Sequence, residues 1–259
     1  MYVKAVASTV VDYNALREAG YIPHRDILLD PQPEDPPEVW DAFADSLFSE
    51  SDIDELHEAC GRGCYLSEHR PNPATAENAP YLAHIAEVGH ESVFGHGHVT
   101  FYVRGVSRAL LLELERHQQH MNLNFSVMSQ RYVDHGTPEN GSPVHPPLFT
   151  DCLNKKLEEH AALSRVLYQT AVDDLIAQGK TRKEARGAAR AFLPESTETR
   201  FYVTGSIRAW RDVIRKRATD AADVEIRLFA IEVLKELKRL APNSVQDFIA
   251  LHANELGES

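Results

Sequence analysis

Cysteine is scarce in this chain of 259 residues: Cys60, Cys64 and Cys152 are its only three, and none forms a CxxC pair. An odd count without that spacing does not describe a disulfide framework, so reduced thiols of an intracellular protein are expected. Long apolar runs are missing too. None approaches the ~20 residues that a membrane span needs, and the opening stretch MYVKAVAS does not read as a signal peptide. A cytoplasmic protein without a membrane partner is the expectation. Basic charge is short: 27 Lys and Arg stand against 39 Asp and Glu, a formal net charge of −12. Polymeric nucleic acid and anionic membrane surfaces need the opposite balance, which argues against both as partners. There is no G-x-S-x-G elbow, no P-loop and no G-x-G-x-x-G, so the common nucleophile and nucleotide signatures do not explain the chain.

What is present is an ordinary core and an uneven distribution of charge. The hydrophobic fraction of 43% is that of a globular protein, and the length suits one large domain or two small ones; a single domain over 1–259 is expected. From Glu34 to Glu58 there are ten acidic residues and no Lys or Arg. Residues 31–58 therefore read as an acidic, Pro-containing peripheral segment, with a surface loop over Pro31–Pro37 and a helix near 38–48. Between Arg182 and Arg217 the balance reverses, with ten Lys or Arg against four acids. A local basic zone in an acidic protein fits a small anion better than a polymer.

The hydrophobic pattern predicts a strand within 1–11, a turn at Pro71-Asn72-Pro73, a short helix over 81–89 and a β-rich run at Val99–Val103 closed by Gly105. Leu153, Leu157, Leu163, Leu167, Ala171 and Leu175 recur at helical spacing, with Gly179 as a stop. Thr181 and Glu184 have the spacing of a capping box, which opens a helix that ends at Pro194. A second β-rich run covers Thr199–Thr204. One long amphipathic helix is expected from about Ala209 to Leu240, with Val224, Leu228, Ile231 and Leu234 on one face. There is also an internal echo: Phe101-Tyr-Val-Arg-Gly-Val-Ser-Arg-Ala109 returns as Phe201-Tyr-Val-Thr-Gly-Ser-Ile-Arg-Ala209. Each copy reads as strand, glycine turn and helix start with an arginine in the first turn. Helix starts of this kind attract anions.

His90-Glu91 with His96 and His98 does not make a metal site, because the histidines are six apart across Gly95 where a helical zincin pair needs four; no metal is expected. The arginines carry more information. Arg116-His117 and Ser129-Gln130-Arg131-Tyr132 flank an amide-rich stretch, and a guanidinium fork with a nearby hydroxyl is built to bind phosphate. Each charge-assisted bond contributes ~1.5–3 kcal/mol. Arg116, Arg131, Arg190, Arg208 and Arg217 all lie on or beside apolar segments, and the competing explanation is structural ion pairs with Glu113, Glu198, Asp212, Asp220 and Asp223.

Over much of residues 55–235 the chain resembles the flavin-dependent thymidylate synthases, whose signature is R-H-R, seven residues, then S-x-R-Y. The residues carrying the likeness are Arg116-His117, Ser129–Tyr132, Pro71-Asn72-Pro73, Val88–Ser92, Phe101-Tyr102, Ala189–Pro194, Thr197–Arg200, Ala209-Trp210-Arg211, Arg217 and Ala222–Arg227. The resemblance implies an α+β fold, a mixed or antiparallel twisted sheet flanked by long helices. It also implies a homotetramer with shared active sites, FAD as cofactor, and dUMP, methylenetetrahydrofolate and NADPH as substrates. By matching positions, Ser129, Gln130, Arg131 and Arg190 hold dUMP, with Glu113 and Arg116 near the base. Arg217 is the catalytic cation over the pyrimidine, while Ser92, Arg116, His117, Gln118, Ser206, Arg208 and Asp212 take the flavin. The chain departs from the pattern at Gln118, in place of the second Arg, and in a spacer about three residues longer, placed between Gln118 and Asn122. Val127, Ser206 and Asp212 differ as well. Two alternatives stay open on these departures: a paralogue modifying another pyrimidine nucleotide, and a non-catalytic nucleotide-binding homologue.

Overall fold

The computed structural model describes residues 1–21, 51–67 and 72–257. The loop over Pro31–Pro37 and the helix expected near 38–48 lie outside the described residues. Four strands, β1 (Tyr2–Ser8), β2 (His98–Ser107), β3 (Asn124–Val127) and β4 (Glu198–Ser206), form one antiparallel sheet in the order β1-β2-β4-β3. Helices of six residues or more are α1 (Tyr13–Glu18), α2 (Asp52–Gly63), α3 (Asn78–Glu87), α4 (Arg108–Glu115), α5 (Asp151–Ala177), α6 (Arg182–Ala189), α7 (Ile207–Arg217), α8 (Val224–Leu240) and α9 (Gln246–Leu251). The class is α+β, as expected.

Alternation explains the central strands. Val99, Phe101 and Val103 on β2 and Thr199, Phe201 and Val203 on β4 are buried, with more accessible residues between them. The two echoed segments are thus neighbours. Thr100 Oγ1 and Thr204 Oγ1 lie 2.9 Å apart, and the rings of Tyr102 and Tyr202 have centroids 4.9 Å apart, which is the pairing of an antiparallel register centred between the copies. Gly105 does not close its strand. It sits inside β2 at φ 68, where its N–H donates to Glu198 Oε1 at 3.0 Å, a conformation that glycine adopts without ending the strand.

By contacts the chain divides into two units. The first comprises Met1–Lys4, Phe101–Val203 and Arg217–Ala230. Its α5 opens on Thr150, whose side chain accepts from Leu153 N, and α6 opens on the expected capping box of Thr181 and Glu184. Tyr168 and Val172 of α5 pack on Ala185 and Ala189 of α6. The fully buried face of α5 is Ala161, Ser164, Tyr168 and Val172; of the expected stripe, Ala171 and Leu175 pack against this cluster and Leu157 is half-buried, while Leu153, Leu163 and Leu167 are exposed. The residues placed as an insertion fold as one helical turn, Gln118–Met121, which ends on Asn122 in the left-handed region at φ 57. Asn tolerates that conformation better than most side chains.

The second unit comprises Ala5–Thr100, Thr204–Lys216 and Ile231–Ser259. The long helix expected over 209–240, whose residues 217–230 belong to the first unit, is two helices, α7 and α8. Asp223 supplies the break: its Oδ1 accepts from Glu225 N and its carbonyl from Arg227 N. Local bonds of this kind compete with helix continuation and start a new helix instead.

A buried polar network fills this unit's interior. Asp54 Oδ1 accepts from Ser244 N at 2.9 Å and from the Ser244 hydroxyl, while Oδ2 accepts from Asn243 N at 2.9 Å. His57 Nδ1 lies 2.8 Å from Ser244 Oγ. Burial pushes the Asp54 carboxyl up to about 6 and the His57 imidazole down to about 3, from ordinary values of 3.8 and 6.5. The two shifts have opposite signs for stability. A lowered His57 contributes stability that is complete above 6.5 and lost as pH falls towards 3. A raised Asp54 contributes stability that is complete below 3.8 and lost as pH rises through 6. Between pH 4 and 6 the folded pair holds one proton, on Asp54, and the unfolded pair also holds one, on His57. Their contribution is therefore flat in that range. His57→Gln removes one side of this balance, so its stability is expected to fall between pH 4 and 6 by up to roughly 1.4 kcal/mol per pH unit relative to wild type. Urea denaturation midpoints at several pH values check this, and parallel curves for the two proteins would refute it.

Candidate active site

In the first unit, strand β3 leads into the Ser129–Tyr132 motif. Met128 N donates to Arg200 O at the sheet edge, and the chain then turns, with Tyr132 N and Val133 N donating to Ser129 O at 3.2 and 2.9 Å. Arg131 N donates to Ser129 Oγ at 3.3 Å. Arg186 of α6 secures the turn from the other side, donating to Tyr132 O and to Asp134 Oδ2, each at 2.7 Å. The Arg131 side chain crosses Gly187, where an added Cβ would stand 3.7 Å from its Cγ. Arg190 caps α6 and is exposed. Ser129, Gln130, Arg131 and Arg190 are thus presented by one loop and the helix that braces it.

Arg108, which was not among the expected site residues, adds to this group. It opens α4, and burial together with the neighbouring Arg190 charge holds its guanidinium below the ordinary range, against the pull of Glu115. Arg108 also presses on His135, whose imidazole is lowered chiefly by burial. Arg108 and Arg190 are like charges close enough to repel, although Glu115 outweighs that repulsion on Arg108, and an anion would be attracted to both. The signal was in the internal echo, which aligns Arg108 with Arg208.

Arg217 is differently placed. Its Nη1 donates to Glu113 Oε2 at 3.0 Å, its Nη2 to Glu113 O at 3.2 Å and its Nε to His117 Nε2 at 3.1 Å. His117 is buried. With its Nε2 accepting, a neutral His117 carries its proton on Nδ1. Arg116 and Gln118, on either side of it, are exposed. Glu113 also borders a cavity of about 230 Å³ shared with Ser107, Ser196 and Glu225, smaller than the ~300–1,000 Å³ of typical small-molecule sites.

The carboxylates expected to pair with the arginines mostly have other partners. Of the five carboxylates, Glu113 pairs with Arg217. Glu198 pairs with Arg200, Asp212 with Lys216 and Asp220 with Arg227, while Asp223 accepts from Glu225 N. Among the described residues no ion pair engages Arg116, Arg131, Arg190 or Arg208. Arg217 follows the structural pattern; the other four present charge that the described residues do not neutralise.

The second unit holds Ser92, Ser206, Arg208 and Asp212. Ser92 precedes the turn Val93–Gly95, is exposed and makes no capping bond with its side chain. Arg208 lies beside that turn, its Cζ 3.9 Å from a Cβ added at Gly95. An exposed hydroxyl and an exposed guanidinium without a carboxylate suit a phosphate-bearing group such as the expected FAD. Ser206 Oγ accepts from Ala209 N at 3.2 Å and so serves the helix start, and Asp212 is buried with Lys216 on its carboxylate.

Comparison with known proteins bears on the chain as a whole. A family model described as thymidylate synthase complementing protein matches residues 46–243. A probable flavin-dependent thymidylate synthase of Mycobacterium phage L5 is 45% identical over 253 residues, which cover 95% of this chain and 97% of that protein. The flavin-dependent thymidylate synthase of Mycobacterium sp. (strain JLS) is 42% identical over 228 residues, 82% of this chain and 85% of its own. Among solved structures, thymidylate synthase X from Helicobacter pylori with FAD and dUMP aligns with a TM-score of 0.58 at 17% identity, covering 94% of this chain and 99% of that one. At that identity the likeness is one of fold.

Proposed function

The chain belongs to the flavin-dependent thymidylate synthase family, and from that premise we propose that it converts dUMP to dTMP with FAD as cofactor. The observation carrying this reading is that Arg131, on the turn that Ser129 Oγ holds, and Arg190, close enough to Arg108 for their charges to repel, are exposed and form no ion pair among the described residues. Methylenetetrahydrofolate and NADPH are the other substrates, and the overall change is dUMP, methylenetetrahydrofolate, NADPH and a proton giving dTMP, tetrahydrofolate and NADP⁺. Bound FAD supplies the hydride chemistry of this exchange.

The chain's own residues bind, orient and polarise. Arg131 and Arg190, with Ser129 and Gln130, take the nucleotide phosphate; Arg108 strengthens the same field. Arg217 stands at the pyrimidine and stabilises negative charge on the ring, aimed by Glu113 and His117. Arg116 lies near the base; in the first unit Arg116, His117 and Gln118 are matched to flavin contacts, and in the second, taken by itself, Ser92, Ser206, Arg208 and Asp212 are. The whole chain acts as one catalytic domain.

A homotetramer is supported by the apolar residues that α5 and its approach leave exposed, among them Leu148, Leu153, Leu163, Val166 and Leu167. A cytoplasmic location is in keeping with the absence, among the described residues, of a helix long and apolar enough to cross a membrane. Purified protein is expected to be yellow, to bleach with NADPH and to form dTMP from dUMP when the folate is supplied. Protein that stays colourless with added FAD and is inert in that assay would overturn the proposal.

A further inference from the structure

The turn bearing Ser92 is anchored from inside the second unit by one buried chain of hydrogen bonds. Gly97 N–H donates to His57 Nε2 at 3.1 Å. Nε2 is therefore the unprotonated ring nitrogen, and the neutral imidazole carries its proton on Nδ1. That proton goes to Ser244 Oγ, and the Ser244 hydroxyl proton goes to Asp54. Every link is fixed in direction. The carbonyl of the same Gly97 accepts from Ile207 N at 2.8 Å, the first residue of α7, and the next residue is Arg208. A Cβ at position 97 would stand 2.6 Å from Ile53 Cγ2 and 2.9 Å from His57 Nε2, so any larger residue would force these side chains to move. Phe94, on the same turn, presents its ring to the His57 ring at 5.4 Å and nearly perpendicular, with the Arg211 guanidinium 4.6 Å from its centroid. Arg211 in turn donates to Ser244 O at 2.7 Å. The backbone of Gly97, the Phe94 ring and the start of α7 thus converge on the His57–Ser244 pair.

We propose that His57 is a positioning residue for the flavin side of the site: its imidazole holds Gly97, and so sets Ser92 against Arg208. His57 does not touch the cofactor. It is buried and acts through the turn, as groups behind a binding shell do when they fix its geometry. The inference rests on the flavin reading of Ser92 and Arg208.

Two near-isosteric variants separate positioning from bulk packing. In His57→Gln the side-chain carbonyl reaches the place of Nε2 and can accept from Gly97 N–H. In His57→Asn the amide reaches only the place of Nδ1, so Ser244 keeps a partner and Gly97 loses its own. FAD affinity is read by quenching of flavin fluorescence, and melting temperature is read on the flavin-free proteins. His57→Asn is expected to weaken FAD binding about tenfold, the scale of one lost buried hydrogen bond. His57→Gln is expected to stay within about threefold of wild type at a melting temperature similar to that of His57→Asn. Should His57→Asn not fold, Ser244→Ala takes its place; it removes the acceptor that keeps the proton on Nδ1 and is expected to weaken FAD at least threefold or so. Equal FAD losses in the Gln and Asn variants, losses that simply follow melting temperature, or no loss in Ser244→Ala would overturn the inference. Wild-type protein that takes up no FAD would remove the flavin reading itself, and this inference with it.

Discussion

Arg217→Lys is expected to lower turnover nearly as far as Arg217→Ala, by about 10²–10³-fold, while changing dUMP affinity much less. The guanidinium spans three acceptors: the Glu113 carboxylate, the Glu113 carbonyl and His117 Nε2. These occupy three of its five N–H groups and leave one on each terminal nitrogen for a ligand. A lysine ammonium is a single point on a flexible stem and cannot hold that fork, so keeping the charge does not keep the aim. The Glu113 pair makes the group an oriented cation, which is what stabilising a charge that develops on the ring requires. Steady-state kinetics with dUMP titrated at saturating folate and NADPH would test this, alongside the melting temperature of each variant. A lysine variant with wild-type kcat, or a fall in kcat that tracks lost stability, would leave Arg217 as an ordinary structural ion pair.

How much of this was legible in the sequence follows from the range over which each feature is decided. The helix over 151–177, its glycine stop and the capping box of Thr181 and Glu184 are local, and all stand where spacing placed them. The buried face of that helix was not legible, because what packs on Tyr168 and Val172 comes from α6. The echo of 101–109 in 201–209 correctly marked two strand-to-helix units, yet no pattern in either copy says that they pair with each other. The break at 218–223 was missed because helical periodicity resumes beyond it, and periodicity alone does not register Asp223 as a cap. The Asp54, His57 and Ser244 network joins residues up to 190 positions apart, and no local pattern announces such a link. Arg131 and Arg190 were legible as candidate residues. Their standing was not, until the carboxylates that could have neutralised them proved to be engaged elsewhere.

That distinction carries the second large effect. Arg131→Ala is expected to weaken dUMP binding about 10–100-fold, the loss of one or two charge-assisted bonds to phosphate, with little change in melting temperature. The side chain is exposed, crosses Gly187 and pairs with no acid among the described residues, so its removal unmakes no ion pair there. Arg190→Ala is expected to act likewise, and because it also relieves repulsion on Arg108 its ligand-free form should melt no lower than wild type. Arg186 is the control: it bonds Tyr132 O and Asp134, so Arg186→Ala should cost stability as well as affinity. The decisive ratio is the affinity for dUMP over that for deoxyuridine, which lacks the phosphate. Wild type should favour dUMP strongly, and both Arg131→Ala and Arg190→Ala should narrow the ratio while leaving deoxyuridine binding nearly unchanged. If the two ligands weaken together, the arginines support the fold of the loop rather than the phosphate, and the anion site must be sought elsewhere.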